Sequence, residues 1–368
     1  MVRSLGNVIR RGCIYTKYGA ISKYGEKIEI PKNCIAIPGF IDIHTHGGYN
    51  IDTMDGSLDG LKKWSYEILK EGTTSFYPTT VTESTDNISK ALKNIEEYIK
   101  KDNIMGAEIL GVHLEGPFLN EKFNGAQDIK YLKNPSIGQF KNFEENSDDI
   151  KIVTYAIEND KDLRFTKYLK QKGIISSIGH SNANFKEIEE ALSIRDLNIT
   201  HFYNACSGYH HRTPGIVNAG LYFDNIMIEL IADGIHVDRS VIRETVKLKG
   251  VNKIILITDS MRAKGLDDGV YKLGPLDVIK KGNSARLKNG NLGGSILSMN
   301  EAFKNIIEYT NCSLEEAVLM TSTNASIRMK INNKKGSLDL GKDADIVILD
   351  ENLNVLKTYC KGILCYEK

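Results

Sequence analysis

The sequence predicts an α/β fold, a (β/α)8 TIM-like barrel joined to a small discontinuous β-sandwich domain built from both termini. Three observations carry this expectation. Eight short apolar runs alternate with longer amphipathic ones between residues 40 and 258. Five of the eight histidines fall at or just beyond the ends of those runs, where a barrel gathers its catalytic groups. The two ends of the chain read instead as short strand-like pieces broken by glycine and proline.

The apolar runs are 40–44, 73–77, 108–114, 152–156, 174–178, 198–202, 226–231 and 253–258. Several are almost continuously apolar, as parallel strands covered on both faces are. Segments 58–71 and 87–100 carry apolar residues at three- and four-residue spacing, and 163–172 and 185–193 sit similarly between strands. Two further helical patterns, 300–309 and 313–320, follow the eighth run. Eight such units over about 250 residues fit the size of a barrel. The expected division is a barrel over 39–335 and a small β domain from 1–38 and 336–368. The N-terminal share of that domain is short and is expected to hold few strands.

Composition narrows the class. The chain has 368 residues, 41% hydrophobic and 26% charged, with a net charge of +1, as a soluble globular enzyme does. No long basic or acidic run points to nucleic acid or to an anionic membrane. A small phosphorylated molecule, which needs only a local cluster, stays open. Residues 1–19 show no apolar export segment, and no apolar run is long enough to span a bilayer. Six cysteines without a CxxC spacing read as reduced thiols of a cytoplasmic protein.

The chemistry sits at the strand ends. His44 and His46 form an HxH pair; alternation along a strand turns both imidazoles to one side, where they can share a metal or merely cap the strand. The flanking Pro38-Gly39 and Gly47-Gly48 favour metal. His113 and Glu115 face the barrel interior by the same alternation. Glu115 suits a metal site or a buried ion pair, and the Gly116-Pro117 stop after it places it at the catalytic end. His113 reads as a histidine behind the ligands or in the core. His180 and His201 add imidazoles from neighbouring strands, and two histidines with one carboxylate leave a metal an open position for water. His236 is equally consistent with a substrate contact and with a solvated loop position. Asp259 can shuttle a proton or cap a helix; its place at a strand end favours the proton.

In order, the segments PGFIDIHTHG, HLEGPFLN, IGHSNA, HFYNA, HHRTPG, ADGIHV, TDSMRAKG and GGSILSM resemble the N-acetylglucosamine-6-phosphate deacetylases of the amidohydrolase superfamily, from about residue 38 to the C-terminus. The resemblance implies a hydrolase that releases acetate from N-acetylglucosamine 6-phosphate. It implies Glu115, His180 and His201 as the primary metal ligands and His44 and His46 as the second-metal pair, so one or two divalent ions (zinc, iron, manganese or cobalt). Some relatives replace the pair and use one ion; the two histidines here favour two. Asp259 matches the general base and acid, and His236 a sugar-contacting histidine. Asn204 and Ala205 match positions near the phosphate. Arg212 matches an arginine that reaches the phosphate from the other subunit of a homodimer. Ser295 lies in a segment that lines the pocket in relatives.

Two departures stand out. Gln127 occupies a position where the family usually has a histidine that polarises the scissile carbonyl. A glutamine donates a neutral hydrogen bond but carries no charge, and losing a charged donor there costs several kcal/mol of transition-state stabilisation. The N-terminus is also short for the family, which bears on the small domain and not on any catalytic motif. Other readings remain open at this level. One is a deacetylase of another N-acetylhexosamine 6-phosphate, such as the galactosamine epimer. The other is a non-catalytic sugar-phosphate sensor. A cyclic-amide hydrolase is disfavoured, because Glu115 stands where such relatives often place a carboxylated lysine.

Overall fold

The computed structural model describes residues 8–10, 12–101 and 105–368; residues 1–7, on which the reading of the chain start partly rests, lie outside these. The barrel strands are β1 (Phe40–Thr45), β2 (Thr73–Pro78), β3 (Val112–Glu115), β4 (Ile150–Tyr155), β5 (Ile175–Ile178), β6 (Leu197–Ile199), β7 (Ile226–Ile231) and β8 (Ile254–Ile257). Strands β3 to β8 form one parallel sheet in sequential order. β1 and β2 pair in parallel, and a bridge from Thr79 to His113 joins β2 to β3.

Closure between β8 and β1 depends on a buried side chain. Asp42 accepts from Thr258 Oγ1 at 2.6 Å, from Thr258 N at 3.3 Å and from His44 N at 3.2 Å. One residue further along, Asp259 N donates to the His44 carbonyl at 2.9 Å. Burial pushes the Asp42 carboxyl up to about 6, against the pull of those donors.

The helices follow from capping and periodicity. Ser57, Ser84, Ser136, Asn184, Asp238, Ser298 and Ser313 each accept a backbone N–H at a helix start. The helix Thr85–Lys100 buries Ile88, Ala91, Leu92 and Ile95, one stripe at helical spacing, against the barrel. Among the described residues, no helix is long and apolar enough to cross a membrane.

Three differences from the sequence expectation have local causes. The third apolar run splits at Gly111, whose φ is +143° and where a Cβ would lie 2.7 Å from the Asp149 carbonyl oxygen. The sixth strand stops at Ile199 rather than running to 202, because the backbone turns left-handed at His201 (φ 29°) and Tyr203 (φ 78°). The helical pattern at 313–320 becomes Leu314–Val318, a π-helical turn Leu319–Thr323, and Asn324–Arg328. An antiparallel meander, Gly269–Leu273, Leu276–Lys281 and Ser284–Leu287, was not expected. It packs Leu273, Val278 and Ala285 on Val81 and Met261 in a small core of its own.

The termini build the second unit. Cys13–Lys17, Ala20–Ser22 and Glu26–Glu29 form one antiparallel sheet. Ile35–Pro38 joins Ile346–Leu349, Val355–Cys360 and Ile363–Glu367 in another. The two share a core of Ile14, Ile21, Ile28, Ala36, Ile346 and Ile348. Lys335 Nζ, buried, reaches Asp345 at 2.6 Å and Glu108 at 2.7 Å, tying this unit to the barrel.

The closing role of Asp42 is open to test. Asp42→Ala leaves the Thr258 hydroxyl and two N–H groups without acceptors and should destabilise the fold by about 2 kcal/mol or more. Asp42→Asn, which can accept both N–H groups and donate to Thr258 Oγ1, should cost less. Urea denaturation midpoints of the metal-free variants check this; equal midpoints would remove Asp42 from barrel closure.

Candidate active site

The six histidines and carboxylates that converge arrive at or near strand ends. Glu115 is the last residue of β3, His44 lies within β1, and His46 follows its last residue. His180, His201 and Asp259 each stand two residues past β5, β6 and β8. All three adopt left-handed backbone, with φ of 47°, 29° and 48°. Such a conformation costs an L-residue about 1–3 kcal/mol. It ends the strand abruptly, so the side chain stays over the barrel mouth. Hydrogen bonds offset the cost at Asp259, whose carbonyl accepts Ser295 N at 2.7 Å while its own N–H goes to His44 O. Gly116, directly after Glu115, has φ +74°, and a Cβ there would meet Thr82 Oγ1 at 2.1 Å. Only glycine lets the chain turn at that point.

The four imidazoles share one arrangement. In each, Nδ1 faces a fixed acceptor: Glu229 Oε2 for His44 (2.9 Å), Thr79 O for His46 (3.1 Å), Phe123 O for His180 (2.7 Å) and Asn204 O for His201 (3.1 Å). These acceptors favour the tautomer with the proton on Nδ1, which in the neutral ring leaves the Nε2 lone pair free. The four Nε2 atoms converge on two carboxylates. Glu115 Oε1 lies 3.1 Å from His201 and 3.3 Å from His180. His46 Nε2 lies 3.2 Å from Glu115 Oε2 and 3.1 Å from Asp259 Oδ1. His44 Nε2 is buried and has no hydrogen-bond partner among the described residues; it lies 3.5 Å from Asp259 and 3.7 Å from Glu115.

This donor set fits divalent cations. The Nε2 atoms of His180 and His201 are 3.1 Å apart, and two lone pairs aimed at each other repel unless positive charge lies between them. Glu115, His180 and His201 can hold one ion, and His44, His46 and Asp259 form a second group with its donor atoms equally close together. The electrostatics point the same way. Burial opposes charge on His46, but Asp259 and Glu115 outweigh it and raise the imidazole to about 9. Burial likewise opposes ionisation of Asp259, and the surrounding histidines overcome it, holding the carboxyl well below its ordinary range.

These groups open onto a cleft of about 320 Å3, a size suited to a small metabolite. Gln127, Asn204, Ala205 and His236 line it. Gln127 is pinned at both ends of its amide: Oε1 accepts from Thr82 N at 2.6 Å and Nε2 donates to Glu115 Oε2 at 2.8 Å. His236 is oriented by Asp233, which binds its Nδ1 at 2.6 Å and two backbone N–H groups of the same loop at 2.8 Å.

Neither Ser295 nor Arg212 lines this cleft. Ser295 is buried behind it, its hydroxyl given to the Thr258 carbonyl at 2.5 Å. The expectation that Ser295 lines the pocket is therefore corrected: Asn291, Leu292 and Gly294, just before it, do so. Arg212 is exposed and pairs with its neighbour His211 at 2.8 Å, away from this chain's own cleft.

The sequence reading also passed over residues. Lys122 lines the cleft from a short helical turn, and Asn291 and Leu273 reach it from the meander segment. Glu229 is buried inside β7, and its signal was a lone carboxylate in the apolar run IMIELI. His113 uses both ring nitrogens, on Ile43 O at 2.9 Å and Thr154 Oγ1 at 2.7 Å. It is a core histidine, and burial together with the nearby His44 pushes it down to about 4.

Comparison with known proteins agrees with this geometry. The amidohydrolase family profile matches residues 35–365. An N-acetylglucosamine-6-phosphate deacetylase of Bacillus subtilis is 42% identical, covering 98% of this chain and 94% of the relative. One of Lysinibacillus sphaericus is 43% identical, covering 89% and 84%. A crystal structure of the Thermotoga maritima N-acetylglucosamine-6-phosphate deacetylase superposes with a TM-score of 0.89 at 34% identity, covering 96% of this chain and 95% of that one. With a TIM-like parallel barrel, a strand-end histidine and carboxylate cluster and a profile match over most of its length, this chain belongs to the amidohydrolase family.

Proposed function

We propose that the chain hydrolyses N-acetylglucosamine 6-phosphate to glucosamine 6-phosphate and acetate. The observation that carries this reading is the convergence of four Nε2 lone pairs on Glu115 and Asp259 at the floor of a cleft, joined to the naming of relatives more than 40% identical. Glu115, His180 and His201 would hold one divalent cation; His44 and His46, with Asp259 beside them, would hold a second. Cations so placed supply Lewis acidity, which acidifies a water and polarises the acetyl carbonyl.

The chain's own residues do the rest. Asp259 is ionised at neutral pH because the histidines around it favour its charged form. It accepts a proton from the attacking water and delivers it to the sugar nitrogen, without which the amine is a poor leaving group. Gln127 holds Glu115 in place through its Nε2, and the second hydrogen on that nitrogen is available to the acetyl oxygen. His236, fixed by Asp233, presents Nε2 to a sugar hydroxyl. The phosphate is held by Asn204, the Ala205 backbone and Arg212 of a second copy in a homodimer. The exposure of Arg212 away from its own cleft supports that arrangement, and a guanidinium fork suits phosphate. The six free cysteines suit a reducing cytoplasm.

Acetate release by the purified chain, loaded in turn with zinc, iron, manganese and cobalt, tests the reading. N-Acetylglucosamine 6-phosphate should be the preferred member of a panel that includes its galactosamine epimer. No release from any N-acetylhexosamine 6-phosphate, with sugar phosphate still bound, would make the chain a sensor instead. Asp259→Asn should lower kcat at least 100-fold while the ion at Glu115, His180 and His201, which Asp259 does not help to hold, stays bound. Retained turnover would take the proton-transfer role from Asp259. Gln127→Ala should lower activity about 10- to 100-fold, with KM little changed; a rise in KM alone would make Gln127 a binding residue only.

A further inference from the structure

Three of the four converging imidazoles are held at Nδ1 by backbone carbonyls. His44 alone is held by a side chain, the Glu229 carboxylate, at 2.9 Å. Both residues are fully buried. We propose that Glu229 is a positioning residue that dedicates His44 to the second cation, fixing its tautomer and raising the basicity of its Nε2.

The geometry of Glu229 is specific. Its Oε1 accepts Asn198 Nδ2 at 2.7 Å, and its Oε2 takes both His44 Nδ1 and, at 3.3 Å, the backbone N–H of His201. Asn198 is in turn anchored by Ser177 Oγ at 2.9 Å, and Ser177 continues through Thr200 at 2.6 Å to Thr154 at 2.7 Å. One carboxylate on β7 thus orients the ring of a β1 histidine and supports the turn that carries the β6 histidine. Its oxygens are both occupied, so it holds the ligand rather than acting as one. His44, His113 and Glu229 lie close enough together to suggest another cation place beneath, but both nitrogens of His113 are already used.

The three carbonyl-held histidines have neutral partners that no side-chain change can remove. The carboxylate at His44 is anionic and removable. An anionic partner makes the ring a stronger donor to a cation, and removal of such partners lowers metal affinity about 10- to 100-fold. In Glu229→Gln one acceptor oxygen becomes a donor, while His44 Nδ1 and Asn198 Nδ2 both still donate. If the amide nitrogen turns to His44, the ring proton must move to Nε2 and the lone pair is lost. In Glu229→Leu neither orientation is enforced.

This inference rests on the reading of His44 and His46 as ligands of a second cation. The test is stepwise Zn2+ titration of metal-free full-length protein, with zinc per chain measured after equilibrium dialysis and unfolding temperature measured on the same samples. Wild type should take two equivalents. Glu229→Gln and Glu229→Leu should keep the first at wild-type affinity and bind the second about 10- to 100-fold more weakly, as His44→Ala does more severely. Two equivalents of unchanged affinity in both variants would overturn the role of Glu229 and leave the two-cation reading standing. A single equivalent in wild type would overturn both. Equal weakening of both equivalents would make Glu229 a structural residue and overturn the proposal.

Discussion

The arrangement of this molecule turns on an electrostatic conflict that protein atoms alone do not resolve. Four imidazole lone pairs are turned toward one another and toward two buried carboxylates. Each ring is prevented from turning away by an acceptor at Nδ1. In the absence of added charge, protonation of some rings relieves the conflict, as the raised position of His46 shows. Divalent cations relieve it without protons and with better geometry. The left-handed turns at His180, His201 and Asp259, the glycine at 116 and the Asp42 closure all serve to bring these groups to one place.

A barrel is a suitable frame for such a conflict because its strands are fixed on both faces. The converging histidines and carboxylates come from β1, β3, β5, β6 and β8, so no single local segment can relax and disperse them. The hydrogen bonds beneath them run from strand to strand through Thr154, Thr200, Ser177 and Asn198. A change at one member of such a chain is felt by its neighbours.

Much of this was legible in the sequence because the barrel writes its signals in residue types that have few other uses. Strand-end histidines and carboxylates mark the mouth, and near-continuous isoleucine and leucine mark the walls. His44, His46, Glu115, His180, His201 and Asp259 were all found that way. What escaped has a common physical cause. Glu229 lies within a strand and touches a histidine 185 positions away, so no local pattern announces it. Ser295 was assigned to the cleft by its motif, but the direction of a hydroxyl depends on a carbonyl brought near by the fold. The strand ends of β3 and β6 depend on single positive-φ residues, which a periodicity reading does not register.

The meander between β8 and the helix Met299–Thr310 has its own small core and contributes Leu273 to the cleft wall, with Asn291 following from the loop after it. Its three strands form a sheet of their own, extended by a bridge from Arg286 to Leu292 in the loop that follows. The segment is therefore an interchangeable part. Substitution, lengthening or replacement of this flap can redraw the outline seen by an incoming sugar while the hydrolytic apparatus below stays as it is. Divergence within such a lineage can proceed by trading lids over a constant engine.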